Sequence, residues 1–121
     1  MNAKRLCTAL LLAGSAFSAA AAEKAPISQC VDLGKNQEIV RSGGGQNFLL
    51  RDGDAHYLVT FRDGCSSLAT TPSLSIVTGE SSNRLCPEGT VVKTKRDNCT
   101  VAKVETIGAD EYASRKRRAS R

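Results

Sequence analysis

Cysteine is the residue type in this sequence with the widest choice of chemistry. The chain has five cysteines: Cys7 near the start, then Cys30, Cys65, Cys86 and Cys99. Such thiols serve as zinc ligands, as redox centres or as disulfides. Zinc sites and thiol oxidoreductases both use close pairs such as C-x-x-C, whereas here each cysteine stands alone. The spacing therefore favours structural disulfides.

The first residues indicate where those disulfides form. Lys4 and Arg5 precede a short apolar run, and small residues then follow as far as Ala22. This pattern is typical of a secretory signal peptide, here over residues 1–22, with cleavage near Ala22. Cleavage removes Cys7 and leaves an even set of cysteines in an oxidising compartment. We expect an exported, periplasmic protein with no transmembrane span in the mature chain, because the apolar run is shorter than the roughly 20 residues of a spanning helix.

Four remaining cysteines allow three pairings, and the sequence does not choose among them. The prediction adopted is Cys30 with Cys99 and Cys65 with Cys86, which ties the first strand to the last and clips the loop between them. A domain this small buries little apolar surface, so two such bridges are expected to supply much of its stability.

The other reactive residue types do not form a recognisable catalytic set. His56 is the one histidine and opens a predicted strand, where exposure or a hydrogen bond is its commoner role. Asp52, Asp54 and Asp63 are potential calcium ligands, but they lie in Asp-Gly turn sequences. The glycine-rich residues 42–45 lack the Gly-Lys-Ser/Thr of a phosphate loop and are interpreted as a flexible connector. We therefore expect no catalytic residues, no metal site and no cofactor; an enzyme of unrecognised type is the weakest alternative.

Positive charge is concentrated at the C-terminal end of the chain. The net charge is +5, yet residues 23–109 contain ten basic and ten acidic residues. The segment 110–121 is basic and predicted to be disordered, with five cations: Arg115, Lys116, Arg117, Arg118 and Arg121. An excess of cations that is confined to the tail argues against a specific nucleic-acid interface. It leaves two interpretations, a solvated end or a contact with lipid, lipopolysaccharide or another polyanion.

Between the two termini, residues 23–109 have the pattern of a single all-β domain. Residues 46–51 (QNFLLR) and 56–62 (HYLVTFR) flank an Asp-Gly turn, which predicts a hairpin. In its second strand Tyr57, Val59 and Phe61 share one face, which we expect to point to the core. About six such strands predict a small antiparallel barrel or sandwich, clipped by two disulfides.

The later strands carry two further signals. Residues 74–78 (LSIVT) form one strand, and residues 90–95 and 99–107 form a pair joined at 96–98. Lys93 and Lys95 alternate with less polar residues, which indicates an edge strand or a strand with one face in water. Val101, Val104 and Ile107 are spaced by three, and their branching favours a strand with a bulge over a helix.

The order of these segments resembles a family of small exported proteins of Gram-negative bacteria, known only as a domain of unknown function. The resemblance rests on Cys30, HYLVTF, Cys65-Ser-Ser-Leu68, Arg84-Leu85-Cys86 and Cys99-x-Val101 in that order. It covers most of the mature chain before the tail and implies no established activity. Relatives carry an acidic pair where this chain has residues 42–45.

Taken together, these features favour a non-enzymatic binding or structural module of the cell envelope. Such a module would bind a periplasmic or envelope protein through an edge strand or a loop. The alternative is a binder of anionic surfaces that acts through the basic C-terminal segment.

Overall fold

The computed structural model describes residues 24–120, so the predicted signal peptide lies outside the described residues. The described chain has ten strands and one helix: β1 (Ala25–Pro26), β2 (Val31–Asp32), β3 (Gln37–Arg41), β4 (Asn47–Asp52), β5 (Ala55–Phe61), β6 (Ser75–Thr78), β7 (Ser81–Ser82), β8 (Arg84–Leu85), β9 (Thr90–Lys93), β10 (Asn98–Thr106) and α1 (Ala109–Ala119). Four of the strands have only two residues each. The longer ones agree with the prediction of about six strands.

The strands form one large antiparallel sheet that curls into a half-barrel. Its order is β3-β4-β5-β10-β9-β6-β7, and β1 pairs with the end of β10. β2 and β8 form a separate two-stranded sheet. This architecture confirms the prediction of a small all-β, antiparallel fold. No helix in residues 24–120 has the length and apolar character needed to cross a membrane.

The predicted hairpin is the β4–β5 pair. Asp52 pairs with Ala55 across the turn, and Gly53 adopts the positive φ of 60° that the Asp-Gly sequence supplies. Tyr57, Val59 and Phe61 are buried in the main core, as predicted. The local turn chemistry and the two-residue period were therefore sufficient to place this hairpin.

Apolar residues pack on both faces of the sheet. The concave face holds the main core, to which β4, β5, β6, β9 and β10 all contribute, with members that include Phe48, Leu50, Val59, Ile76, Val92 and Val104. A smaller cluster lies on the opposite face and consists of Leu49, Leu58, Ile107 and Tyr112, with Val40 packed against it. Helix α1 supplies Tyr112 and so covers that second face.

β10 contains the predicted bulge. Val101 pairs with Phe61, but the next paired residue is Lys103 opposite Thr60, so one residue is extra on β10. The extra residue places Val101 and Val104 in the same core although they are three positions apart. Ile107 follows the end of the strand and packs in the smaller cluster instead.

β9 is not an edge strand, so the first of the two interpretations of Lys93 and Lys95 is wrong. It lies between β10 and β6, and Val92 pairs with both Cys99 and Ile76. The other alternative is confirmed, since Val92 is buried while Lys93 is exposed to water. An interior strand with one face exposed to water has the same alternation of polar and apolar residues as an edge strand. The two are distinguished only by their pairing partners.

All four described cysteines form disulfides, but the predicted pairing is wrong. The bridges are Cys30–Cys86 and Cys65–Cys99, not Cys30 with Cys99 and Cys65 with Cys86. Pairing of β2 with β8 brings Cys30 beside Cys86, because Val31 lies opposite Leu85. Cys65 follows β5 and Cys99 lies in β10, and these two strands are neighbours. The pairing follows from strand order, which is not a local property of the sequence.

Candidate functional site

Helix α1 occupies the segment that was predicted to be a disordered basic tail. That prediction is wrong for the described part, since Ala109–Ala119 is helical and packs on the sheet. Acidic residues lie in the first turn and basic residues in the last, an order that complements the helix dipole: Asp110 and Glu111, then Lys116, Arg117 and Arg118. A salt bridge from Arg115 to Glu111, four residues earlier, adds support along the helix.

Tyr112 anchors α1 to the convex face of the sheet. Its side chain is buried against Leu49, Leu58 and Ile107, and its hydroxyl donates to Glu38 Oε1 of β3 (2.7 Å). Burial and this hydrogen bond raise the pKa of Tyr112 far above its ordinary value, so it remains a neutral donor. A single residue thus contributes both the apolar and the polar attachment of the helix.

Glu38 accepts a second hydrogen bond from α1. Lys116 Nζ donates to Glu38 Oε2 (2.7 Å), and Arg51 Nε lies 3.7 Å from Oε1. The hydrogen bonds from Lys116 and Tyr112 hold the pKa of Glu38 below its ordinary value. The ionised carboxylate therefore stabilises the docked helix.

His56 belongs to this same attachment. Its ring centroid lies 4.8 Å from that of Tyr112, and its carbonyl accepts the Ile107 N–H (3.0 Å). The structure thus brings the one histidine together with the helix anchor.

A cleft of about 420 Å³ lies between the C-terminal half of α1 and the end of the β3–β4 hairpin. Its sheet side has an apolar part, Val40 and Leu49, and a polar part formed by Ser42, Gly43 and Asn47. Its helix side presents Arg115, Arg118 and Ala119. The cleft therefore combines two cations with a small apolar surface.

Both arginines of the cleft are held by a residue one turn earlier. Arg115 Nε donates to Glu111 Oε2 (2.8 Å), and Arg118 Nη1 donates to Ser114 Oγ (2.9 Å). Within residues 24–120, the two terminal nitrogens of Arg115 and the Nη2 of Arg118 donate to no protein acceptor. The guanidinium groups are thus oriented by the helix and keep donors for a ligand.

The other predicted cations have different surroundings. Lys116 is hydrogen-bonded to Glu38, and Arg117 is exposed to solvent. Arg121 lies outside the described residues. The four predicted contact residues that the structure describes therefore have different surroundings and do not form one uniform set of free cations.

The turn carboxylates are not assembled into a metal site. Asp52 accepts the Gly34 N–H (3.2 Å), Asp63 lies 3.6 Å from Arg62 Nε, and Asp54 is exposed. Among the described residues there is no group of three side chains suited to hold a metal ion.

The sheet side of the cleft is not predicted as a site from the sequence. Residues 42–45 are predicted to be a connector and residues 46–51 a hairpin strand, with no binding role for Val40, Asn47 or Leu49. A usable signal was present in Phe48-Leu49-Leu50, because three consecutive apolar residues in a strand indicate burial on both faces. Something therefore had to cover the convex face, and that element is α1.

Comparison of the chain with protein-family models, with curated proteins and with solved structures found no match. The resemblance to the exported Gram-negative family stays a prediction. The geometry of the cleft is therefore the main guide to its function.

Proposed function

We propose that this protein is an exported, non-enzymatic binding module of the cell envelope, and that the cleft beside α1 binds an anionic ligand. One observation carries the proposal: Arg115 and Arg118 line a recess whose sheet side includes Val40 and Leu49. Two oriented cations over an apolar surface suit a ligand with an anionic head and an apolar part.

The chemistry of the arginines defines the head group. A guanidinium presents a planar set of donors that matches carboxylate and phosphate oxygens, and such charge-assisted hydrogen bonds are stronger than neutral ones. A volume of about 420 Å³ is within the range of small-ligand pockets. The apolar side chains at the base add affinity by burying an alkyl or side-chain group.

The scaffold supports a binding role because it holds both sides of the cleft in place. Tyr112 and Lys116 attach the helix side to Glu38, and the β3–β4 pairing holds the sheet side. A preformed site loses less conformational entropy when its ligand arrives.

The proposal is tested with small probes that separate charge from apolar contact. Hexanoate and hexyl phosphate are titrated into the mature protein, with hexyltrimethylammonium as the cationic counterpart, and backbone amide shifts are followed by NMR. We expect the two anions to shift residues 42–49 and the C-terminal half of α1, and the cation to leave them unchanged.

A matched pair of double variants locates the binding. The double variant Arg115→Gln with Arg118→Gln is expected to weaken the binding of both anions by roughly tenfold or more. Each lost charged hydrogen bond is a substantial share of a small ligand's affinity. Lys93→Gln with Lys95→Gln removes the same charge from another surface and should change nothing. Equal effects of the two double variants, or no shift near the cleft, would contradict the proposal.

Export is tested on the protein in its native host. Cell fractionation is expected to recover the protein from the periplasm. Its intact mass should correspond to a chain that begins near Glu23. Cytoplasmic protein that retains residues 1–22 would exclude this part of the proposal.

A further inference from the structure

We infer that the anionic head group is the C-terminal carboxylate of an extended peptide, and that the preceding residues of this peptide pair with the free edge of β3. This inference rests on the proposed function, because it assigns a ligand class to the same cleft.

β3 lies at one edge of the large sheet. It pairs with β4 along its whole length, from Gln37 opposite Asp52 to Arg41 opposite Phe48. No other strand in residues 24–120 pairs with its opposite side. In an antiparallel pair, alternate residues direct their N–H and C=O groups away from the partner. β3 therefore offers a row of backbone groups that a peptide strand can pair with.

The end of this edge lies next to the cleft. Val40 lies in β3, and Ser42 and Gly43 follow directly after it, so the strand leads into the polar end of the cleft. A peptide that lies along β3 reaches Arg115 and Arg118 where β3 ends. Since Ser42 and Gly43 both continue β3 and line the cleft, the edge of β3 ends at the cleft.

Charge decides the orientation of the bound peptide. Two guanidinium groups attract a carboxylate and repel an N-terminal ammonium, so the C-terminal end of the peptide must lie at the cleft. The bound peptide then runs parallel to β3. Val40, Leu49 and Ala119 provide the contact for an apolar last side chain.

The backbone at residues 43 and 44 is accessible beyond the end of β3. A carbon added at Gly43 or Gly44 meets no atom within 4 Å, so the backbone there is open. Neither N–H donates to an acceptor in the described part of the chain. Successive free backbone N–H groups are a known means of holding a terminal carboxylate, and here they lie at the same end of β3 as the arginines.

An anionic membrane is the competing ligand, and the geometry favours it less. A membrane contact uses cations spread over one exposed face, whereas here Lys116 is hydrogen-bonded to Glu38 and Arg117 does not line the cleft. The acidic Asp110 and Glu111 also lie on the same short helix. Vesicles are nevertheless one arm of the test.

The experiment uses a library of acetylated hexapeptides whose last residue is leucine, prepared with a free carboxylate and as the C-terminal amide. Binding to the mature protein is followed by amide shifts at residues 37–43 and by fluorescence anisotropy. We expect the free acids to bind roughly tenfold or more tightly than the amides. Arg115→Gln with Arg118→Gln should remove this difference, and Lys93→Gln with Lys95→Gln should preserve it.

Backbone N-methylation of the best peptide tests the strand pairing. In a parallel pair only alternate residues bond to a given neighbour, so N-methylation of one alternate set should abolish binding and N-methylation of the other should be tolerated. Equal tolerance of both sets would overturn the pairing with β3.

The remaining outcomes separate this inference from the proposed function. If hexanoate and hexyl phosphate shift the cleft but no peptide does, the peptide inference is wrong and the anion site stands. If phosphatidylglycerol vesicles bind in an Arg115- and Arg118-dependent manner and peptides do not, an anionic surface replaces the peptide. If no probe shifts the cleft, both are wrong.

Discussion

Gly45 is a residue at which one added carbon would clash with the backbone. It has φ of 71°, and a Cβ built there would lie 2.6 Å from the carbonyl oxygen of Cys65. The same two residues are joined by a hydrogen bond from Cys65 N–H to Gly45 O (2.8 Å). The turn that was interpreted as flexible is therefore pinned at this end, beside a disulfide.

Gly45→Ala is expected to lower the free energy of unfolding by about 1 to 3 kcal/mol, since it adds a backbone clash to an unfavourable φ. Gly44→Ala is the matched control, because a Cβ there meets nothing within 4 Å. It should change stability by no more than about 0.5 kcal/mol. Urea unfolding measures both, and equal stabilities of the two variants would refute this account of the turn.

At the scale of elements, the attachment of α1 should depend on pH. The folded-state pKa of Glu38 lies below the ordinary value of 4.5, so its ionised form stabilises the docked helix. That contribution is complete above pH 4.5 and is lost as the pH falls through the lower, folded-state pKa. Acid is therefore expected to loosen α1 from the sheet.

Glu38→Gln removes this dependence. At neutral pH the variant should be less stable than the parent by about 0.5 to 1.5 kcal/mol, the scale of one hydrogen bond, and the two should converge on acidification. Thermal unfolding between pH 7 and pH 3 measures the difference, with the exposed Glu80→Gln as control. A difference that stays constant with pH would rule out Glu38 as the titrating group.

In the molecule as a whole, two disulfides link segments that are far apart in sequence. Cys30–Cys86 spans 56 residues and Cys65–Cys99 spans 34. The chain-entropy estimate is about 4 kcal/mol for each, a large share of the 5 to 15 kcal/mol typical of a folded domain. Replacing either pair by alanine is expected to cost up to this amount in urea unfolding.

The connectivity is tested by digestion without reductant. Mass spectrometry should find the Cys30 peptide linked to the Cys86 peptide and the Cys65 peptide linked to the Cys99 peptide. A Cys30–Cys99 link would contradict the strand order, and free thiols at these positions in protein from its native compartment would contradict the scaffold itself.

Local features of the fold were predictable because their causes are local. The Asp-Gly turn and the two-residue period located β4 and β5 and their core face, and the spacing of Val101 and Val104 indicated the bulge in β10. The candidate site was predictable only in its cations. Its sheet side was missed, because Val40 and Leu49 acquire a role only when a distant helix packs over them.

Residue types and their spacing are sufficient to predict that the chain is strand-rich, that its cysteines are suited to disulfides and that its excess charge lies near the C-terminus. The fold is needed to establish which cysteines meet, that β9 is an interior strand and that the basic segment is a docked helix. These last properties depend on contacts between residues that are far apart in sequence. Tyr112 and Glu38, for example, are 74 positions apart in the sequence and are partners only in the folded chain.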